Sequence, residues 1–284
     1  MGSLHHHEGP ITRGRFLVAD VETTGLDPKT AEIVELGVVR FEDGRVTGVV
    51  SERFRPKGGI PPEATAIHHI SNDDVADRSP FAECGWIGSL QRERVVGYNI
   101  AAFDGPLLCE EMRRAKRRFV LHGTLDPLIM VRWALPALPR RGDASARSLV
   151  NITDHFGVRL TQAHSAAADA RATGELLLAL VARGLCPDDW SIASAMQAAA
   201  QLHLDEERRK WGHWIYEDRE RRGFLRLACG KHVGMPLMRA ARERPQYIER
   251  LLEIPDIHPG AAAELRRALG FTHNRRAAVP GAAA

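Results

Sequence analysis

The sequence is poor in the features that mark disulfide, zinc or membrane proteins. Its four cysteines, Cys84, Cys109, Cys186 and Cys229, are scattered without a Cys-x-x-Cys pair, so neither a zinc site nor a disulfide framework is expected. That usage fits a reducing cytosol, and a cytoplasmic location is the expectation. No apolar run approaches membrane-spanning length and the N-terminus has no secretory hydrophobic region, so no membrane or export role is expected. A dominant charge is missing as well: 39 Lys and Arg stand against 36 Asp and Glu, a net +3. That balance permits a polyanionic partner without requiring one.

What is present is an ordinary globular composition, 44% hydrophobic and 26% charged over 284 residues, enough for one sizeable core and a small second unit. Met1 to Arg15, with His5-His6-His7, reads as a flexible leader or tag remnant. The next stretch, Phe16-Leu17-Val18-Ala19-Asp20-Val21-Glu22-Thr23-Thr24-Gly25, is apolar and then ends abruptly in acids, threonines and a glycine. Its first half predicts a buried strand. Side chains alternate along a strand, so Asp20 and Glu22 share a face. Two carboxylates there repel and favour protonation unless a cation sits between them. Either a divalent cation belongs there or the strand simply ends in a solvated acidic loop. Gly25 is expected to supply the freedom for a sharp turn.

Ile33 to Phe41 and Arg45 to Phe54, separated by Asp43-Gly44, predict an antiparallel meander with the first strand. A loop is expected around Ile67-His68-His69-Ile70, a short helix over Phe81 to Gln91, a strand at Arg94 to Tyr98 and helical spacing from Gly105. Strands followed by helices predict an α/β layer fold. Asp104, just before Pro106, is either a helix cap or part of a site. Met112 to Arg147 holds nine Lys or Arg against two acids, which is either a solvated helix face or a phosphate-binding track. In a helix from about Ala166, Asp169, Thr173, Leu176, Leu177 and Leu180 share one stripe. This puts a charge at the head of the packing face, where burial is unfavourable without a partner. His164 hangs just before it.

Taken together, Asp-x-Glu-Thr-Thr-Gly, then Asn99-x-x-x-Phe103-Asp104, then His164-x-x-x-x-Asp169 resembles the three motifs of the DEDDh (DnaQ-like) 3′→5′ exonucleases, over about Phe16 to Arg183. Ala66-Ile67-His68, Ser148-Leu149 leading to His155-Phe156-Gly157, and Asp126 ahead of a helix are supporting similarities; Tyr98 stands where many relatives have histidine. The resemblance implies a ribonuclease-H-like mixed sheet flanked by helices, with a small C-terminal accessory module. It implies that Asp20, Glu22, Asp104 and Asp169 hold two divalent ions, Mg²⁺ or Mn²⁺, and that His164 is the general base. All-carboxylate sites suit such hard cations. The substrate-binding set implied is Thr23, Thr24, Gly25, Leu26, His68, Asn99 and Phe103. The expected reaction releases nucleoside 5′-monophosphates from nucleic acid, with single-stranded 3′ ends of DNA favoured. An exoribonuclease and a non-catalytic nucleic-acid-binding module are the alternatives, and a polymerase or repair partner is left open.

The expected organisation is a leader at 1–15, the nuclease domain at 16–183, a helical linker at 184–222, an accessory module at 223–270 and a disordered tail at 271–284. Trp211, Trp214, Tyr216 and Phe224 lie among basic residues, which suggests either a stacking platform or packing against a neighbour; the helical spacing of Trp211, Trp214 and Ile215 favours packing. Gly230-Lys231-x-x-Gly234 followed by Pro245-x-Tyr247-x-x-x-Leu251-Leu252 resembles the small module behind the nuclease domain of exodeoxyribonuclease-X-like proteins. Cys229 and Met235 stand where those relatives have an aromatic and a basic residue.

Overall fold

The structure, a computed structural model, describes residues 9–138 and 147–277. Its elements run β1 (Arg15–Thr23), β2 (Ile33–Glu42), β3 (Arg45–Arg53), α1 (Pro62–His68), α2 (Asn72–Val75), a 3₁₀ turn (Phe81–Glu83), α3 (Ile87–Arg92), β4 (Val95–Val96), α4 (Asp104–Arg114), β5 (Thr124–Leu125), α5 (Pro127–Ala134), α6 (Leu149–Phe156), α7 (Ala166–Ala182) and α8 (Trp190–Trp211). Then come β6 (Ile215–Glu217), β7 (Leu225–Leu227), α9 (Leu237–Glu243), α10 (Pro245–Leu252) and α11 (Pro259–Ala277). The chain divides into two compact units. One runs up to Val131 and resumes in the stretch ending at Ala199; the other begins at Arg132 and takes the chain from Ala200 on.

In the first unit the meander forms as expected, because Asp43 and Gly44 both take positive φ at the hairpin and the strands are β-branched and aromatic. The sheet order is β3-β2-β1-β4-β5, with β1–β2 and β2–β3 antiparallel and β1–β4 and β4–β5 parallel. The α/β mixed sheet flanked by helices is thus present. One face packs Leu17, Ala19, Val21, Leu36 and Val38 against Leu107, Leu108 and Met112 of α4. The other receives α7 along β1 and β2. Gly174 makes that seat possible: a Cβ there would lie 2.5 Å from Phe41 Cζ and 2.9 Å from Val18 Cγ2. Phe41 in turn stacks on Phe16 at 5.1 Å with rings nearly parallel.

Several local expectations change. His68 lies at the end of α1 rather than in a loop, and Phe81 to Gln91 is split into a 3₁₀ turn and α3 around Gly85. Residues 1–8 lie outside the described residues, but the rest of the expected leader is anchored. Ile11 is 0% exposed, the Thr12 amide and hydroxyl donate to Asp188 at 2.8 and 2.5 Å, and Trp190 N donates to Gly9 O at 3.0 Å. The stretch expected as linker contains Trp190, buried and packed on Phe16, and α8 runs through Ala199, where the unit division falls.

The second unit has its own core of Trp214, Ile215, Leu227, Leu237, Ile248, Leu251 and Leu265. Trp214 is therefore a packing residue. The helix ends at Trp211 and Ile215 belongs to β6, so the helical spacing read across all three residues does not hold. The two halves of the Gly-Lys and Pro-x-Tyr motif meet, with the His232 ring edge-on to Tyr247 at 4.7 Å. α11 continues into the expected tail as far as Ala277; the expectation for 278–284 lies outside the described residues. Among the described residues no helix is long and apolar enough to cross a membrane.

Candidate active site

β1 brings Asp20 and Glu22 to the α7 side of the sheet, where both are half-buried. Asp104 opens α4 and is buried. It does not act as the side-chain N-cap of α4, since Phe103 occupies that position; its Oδ1 instead accepts from Val21 N of β1 at 3.1 Å. That bond ties the second motif to the first across 83 residues. Asp169 lies in the first turn of α7, and its Oδ2 accepts from His164 N at 3.2 Å. His164 itself is exposed with φ +64, a left-handed conformation that turns the chain into the helix. One ligand-type atom from each of Glu22, His164 and Asp169 lies within 4.8 Å of the others.

The electrostatics of this cluster are unfavourable as they stand. Burial pushes Asp20 well above the carboxylate range, and Asp104, Asp169 and Glu22 push it further. Glu22 is raised to about 8 by burial, then by Asp169, Glu35 and Asp104. Burial also raises Asp104 to about 7, against the backbone N–H groups of Asp104 and Val21. Asp169 rises to about 6 by burial, with His164 opposing. Among the described residues no Lys or Arg is among the influences on these four acids, and Asp169 Oδ1 is buried without a hydrogen-bond partner there. Clustered carboxylates with an unused buried oxygen are the donor set of a hard divalent cation. The residues present therefore fit Mg²⁺ or Mn²⁺.

Around this cluster the structure accounts for the remaining expected residues unequally. Thr23 Oγ1 donates to Gly25 O at 2.7 Å and Thr24 Oγ1 accepts from Glu32 N at 2.9 Å. Both hydroxyls therefore shape the turn after β1, in which Gly25 does not take a left-handed φ. Leu26 is 83% exposed. His68 is buried and accepts from Ile70 N at Nδ1 (3.1 Å). Burial holds its pKa below the ordinary imidazole value, against the pull of the Thr23 backbone and Glu35. Asn99 is left-handed (φ +63), and its N–H donates to the buried Asp126 at 2.9 Å. Asp126 is fixed in turn, because Gln197 of α8 accepts from Asp126 N at 2.6 Å and donates to Thr124 O at 3.0 Å. Phe103 is partly buried against the core.

In the basic stretch, part of the positive charge is paired within the fold. Arg113 pairs with Glu110, Arg114 with Glu110 and Glu111, and Arg117 holds Ala82 O; Arg140 and Arg141 lie outside the described residues. A buried acid beside the cluster escaped the sequence reading: Glu35, paired in register with Glu22 and 4% exposed. The available signal was a lone acid inside Ile33-Val34-Glu35-Leu36-Gly37.

Comparison with known proteins gives this arrangement its place. The chain is 30% identical over 169 residues to the DNA polymerase III subunit epsilon of Treponema pallidum (strain Nichols), covering 59% of this chain and 76% of that protein. It is 28% identical over 174 residues to the 3′-5′ exonuclease DinG of Bacillus subtilis (strain 168), covering 60% of this chain but only 18% of the relative. In fold it resembles E. coli exonuclease I, solved with a dA16 oligonucleotide, at TM-score 0.53 and 21% identity, over 69% of this chain and 44% of that one. The exonuclease family model RNase_T matches residues 17–177, a span that starts in β1 ahead of Asp20 and ends in α7 beyond Asp169; the chain belongs to the RNase_T exonuclease family.

Proposed function

We propose that the protein is a divalent-metal-dependent 3′→5′ exonuclease that removes nucleoside 5′-monophosphates from single-stranded DNA ends. The observation that carries the reading is the gathering of Asp20, Glu22, Asp104 and Asp169 from three separate elements into one cluster that, among the described residues, no Lys or Arg neutralises. Bound there, two Mg²⁺ or Mn²⁺ ions would polarise the attacking water and stabilise charge on the leaving 3′-oxygen. Asp20, Glu22, Asp104 and Asp169 would hold them. His164, exposed and beside Asp169, takes the proton of the attacking water, while the Asp169 carboxylate fixes the His164 backbone through its N–H. Leu26, Asn99, Phe103 and the Thr23–Gly25 turn receive the terminal nucleotide, with His68 supporting the turn from behind.

DNA is favoured over RNA by the names of the relatives, a polymerase subunit and a DNA-bound exonuclease among them. A polymerase or repair complex is the corresponding partner. The test is a 5′-labelled single-stranded DNA oligonucleotide and the matching RNA, each with Mg²⁺, Mn²⁺ or EDTA. A metal-dependent ladder shortening from the 3′ end, faster on DNA and abolished in Asp169→Ala, is expected. Cleavage that survives EDTA or Asp169→Ala would overturn the reading.

A further inference from the structure

α7 carries His164 at its doorstep and Asp169 in its first turn, so the seating of its N-terminus sets both. The first amides of a helix have no partner within it and need an acceptor from outside. Ser165, the N-cap residue, makes no side-chain cap. The acceptor comes from another strand: Ala166 N donates to Glu35 Oε2 at 3.0 Å, across 131 residues of sequence. The other carboxylate oxygen, Oε1, accepts from Ser51 Oγ of β3 at 2.7 Å and has Arg53 Nε 3.6 Å away. Glu35 is thus held from one side by β3 and holds α7 from the other. Gly37, two residues along β2 and on the same face, allows the contact, since a Cβ there would overlap Ala166 C, Ala166 O and Ala167 N.

We infer that Glu35 is a positioning residue that caps α7 from across the sheet, fixing His164 and Asp169 opposite Glu22 and leaving Asp169 Oδ1 free. An acid in the first turn of a helix commonly satisfies the amides there. Here Glu35 takes that part, and Asp169 keeps a buried oxygen without a hydrogen bond. Glu35 acts through α7 and does not touch the reacting atoms. The inference rests on the exonuclease reading of the site, but its structural half can be tested without it.

Glu35→Ala removes the cap. Glu35→Gln keeps an acceptor for Ala166 N–H and an amide that can meet Ser51, while removing the charge. Hydrogen exchange of residues 164–170 in the metal-free protein should quicken about tenfold in Glu35→Ala and stay near wild type in Glu35→Gln. Calorimetric titration with Mn²⁺ alone should show affinity several-fold weaker in Glu35→Ala, restored in Glu35→Gln. On oligonucleotide DNA, kcat should drop at least tenfold in Glu35→Ala with KM within about twofold, and Glu35→Gln should recover to within about threefold.

Unchanged exchange and Mn²⁺ affinity in Glu35→Ala would overturn the inference. So would a folded Glu35→Gln as impaired as Glu35→Ala, since charge rather than capping would then be at work. Should Glu35→Ala fail to fold, Glu35→Gln decides alone, with a loss beyond tenfold in kcat refuting the capping role. A wild type that neither cuts nor binds Mn²⁺ would sink the exonuclease reading, while the exchange comparison would still decide for or against the cap.

Discussion

Gly174→Ala sets two magnitudes against each other. In an exposed helix interior the substitution gains about 1 kcal/mol of helix propensity. Here the added methyl would sit 2.5 Å from Phe41 Cζ and 2.9 Å from Val18 Cγ2, where carbons prefer about 3.5–4 Å. Phe41 cannot swing away, because it stacks on Phe16 at 5.1 Å and both rings are buried in the sheet. Overpacking of this kind costs about 1–3 kcal/mol, sometimes more. With the rings pinned, the upper end applies, and the net loss is about 2 kcal/mol.

Gly270→Ala is the control. It is an exposed position on α11 with nothing within 4 Å of the new Cβ, so the propensity term should act alone and stabilise by about 0.5–1 kcal/mol. The assay is urea unfolding followed by far-ultraviolet circular dichroism in EDTA. The two glycines lie in different units, so each substitution should move the transition of its own unit. A Gly174→Ala protein as stable as wild type would refute the claim that α7 is seated on the sheet without room for a methyl.

The metal-free protein should lose stability as pH rises from about 5 to 8. The raised Asp169 (about 6), Asp104 (about 7) and Glu22 (about 8) let the folded state hold more protons than the unfolded one throughout that window. His68 and His232, lowered by burial first, oppose this but are outnumbered. A thermal midpoint in EDTA that is flat or climbs over that window would contradict the charge cluster, whereas Glu22→Gln should flatten the slope. Asp126→Ala, which strips Asn99 N–H and Leu128 N–H of their acceptor, should destabilise by about 3 kcal/mol and raise KM for oligonucleotides. Asp126→Asn should cost much less, as read by the urea midpoint and steady-state kinetics.

Much of the site was legible because its residues sit on regular elements. Asp20 and Glu22 share a face by strand alternation, and the α7 stripe follows from helical spacing. Thr173, Leu176, Leu177 and Leu180 of that stripe are all buried. Glu35 was not legible because β2 is buried on both faces from Ile33 to Val39. Where every position is buried, alternation no longer separates an acid facing the site from one facing the core. Gly174 was missed for a related reason: a glycine in a helix announces no partner, and Phe41 arrives from 133 positions earlier. Ile215 was misread because three spaced apolar residues cannot tell the last turn of a helix from a strand that follows it. Ile11 and Thr12 were set aside with the leader because their partners, near Asp188, lie far along the chain.

The bonds that assemble the acid cluster also carry an order of events. Asp20 and Glu22 lie in a local hairpin system, but Asp104 joins it across 83 residues and α7 across 131. Contacts so distant in sequence carry a large loop-closure entropy and form late. During synthesis the meander can pair as soon as it emerges, while the acid of α7 is still to be made. Until α7 has emerged from the ribosome, the nascent protein holds at most Asp20, Glu22 and Asp104, and the fourth carboxylate of the cluster is missing.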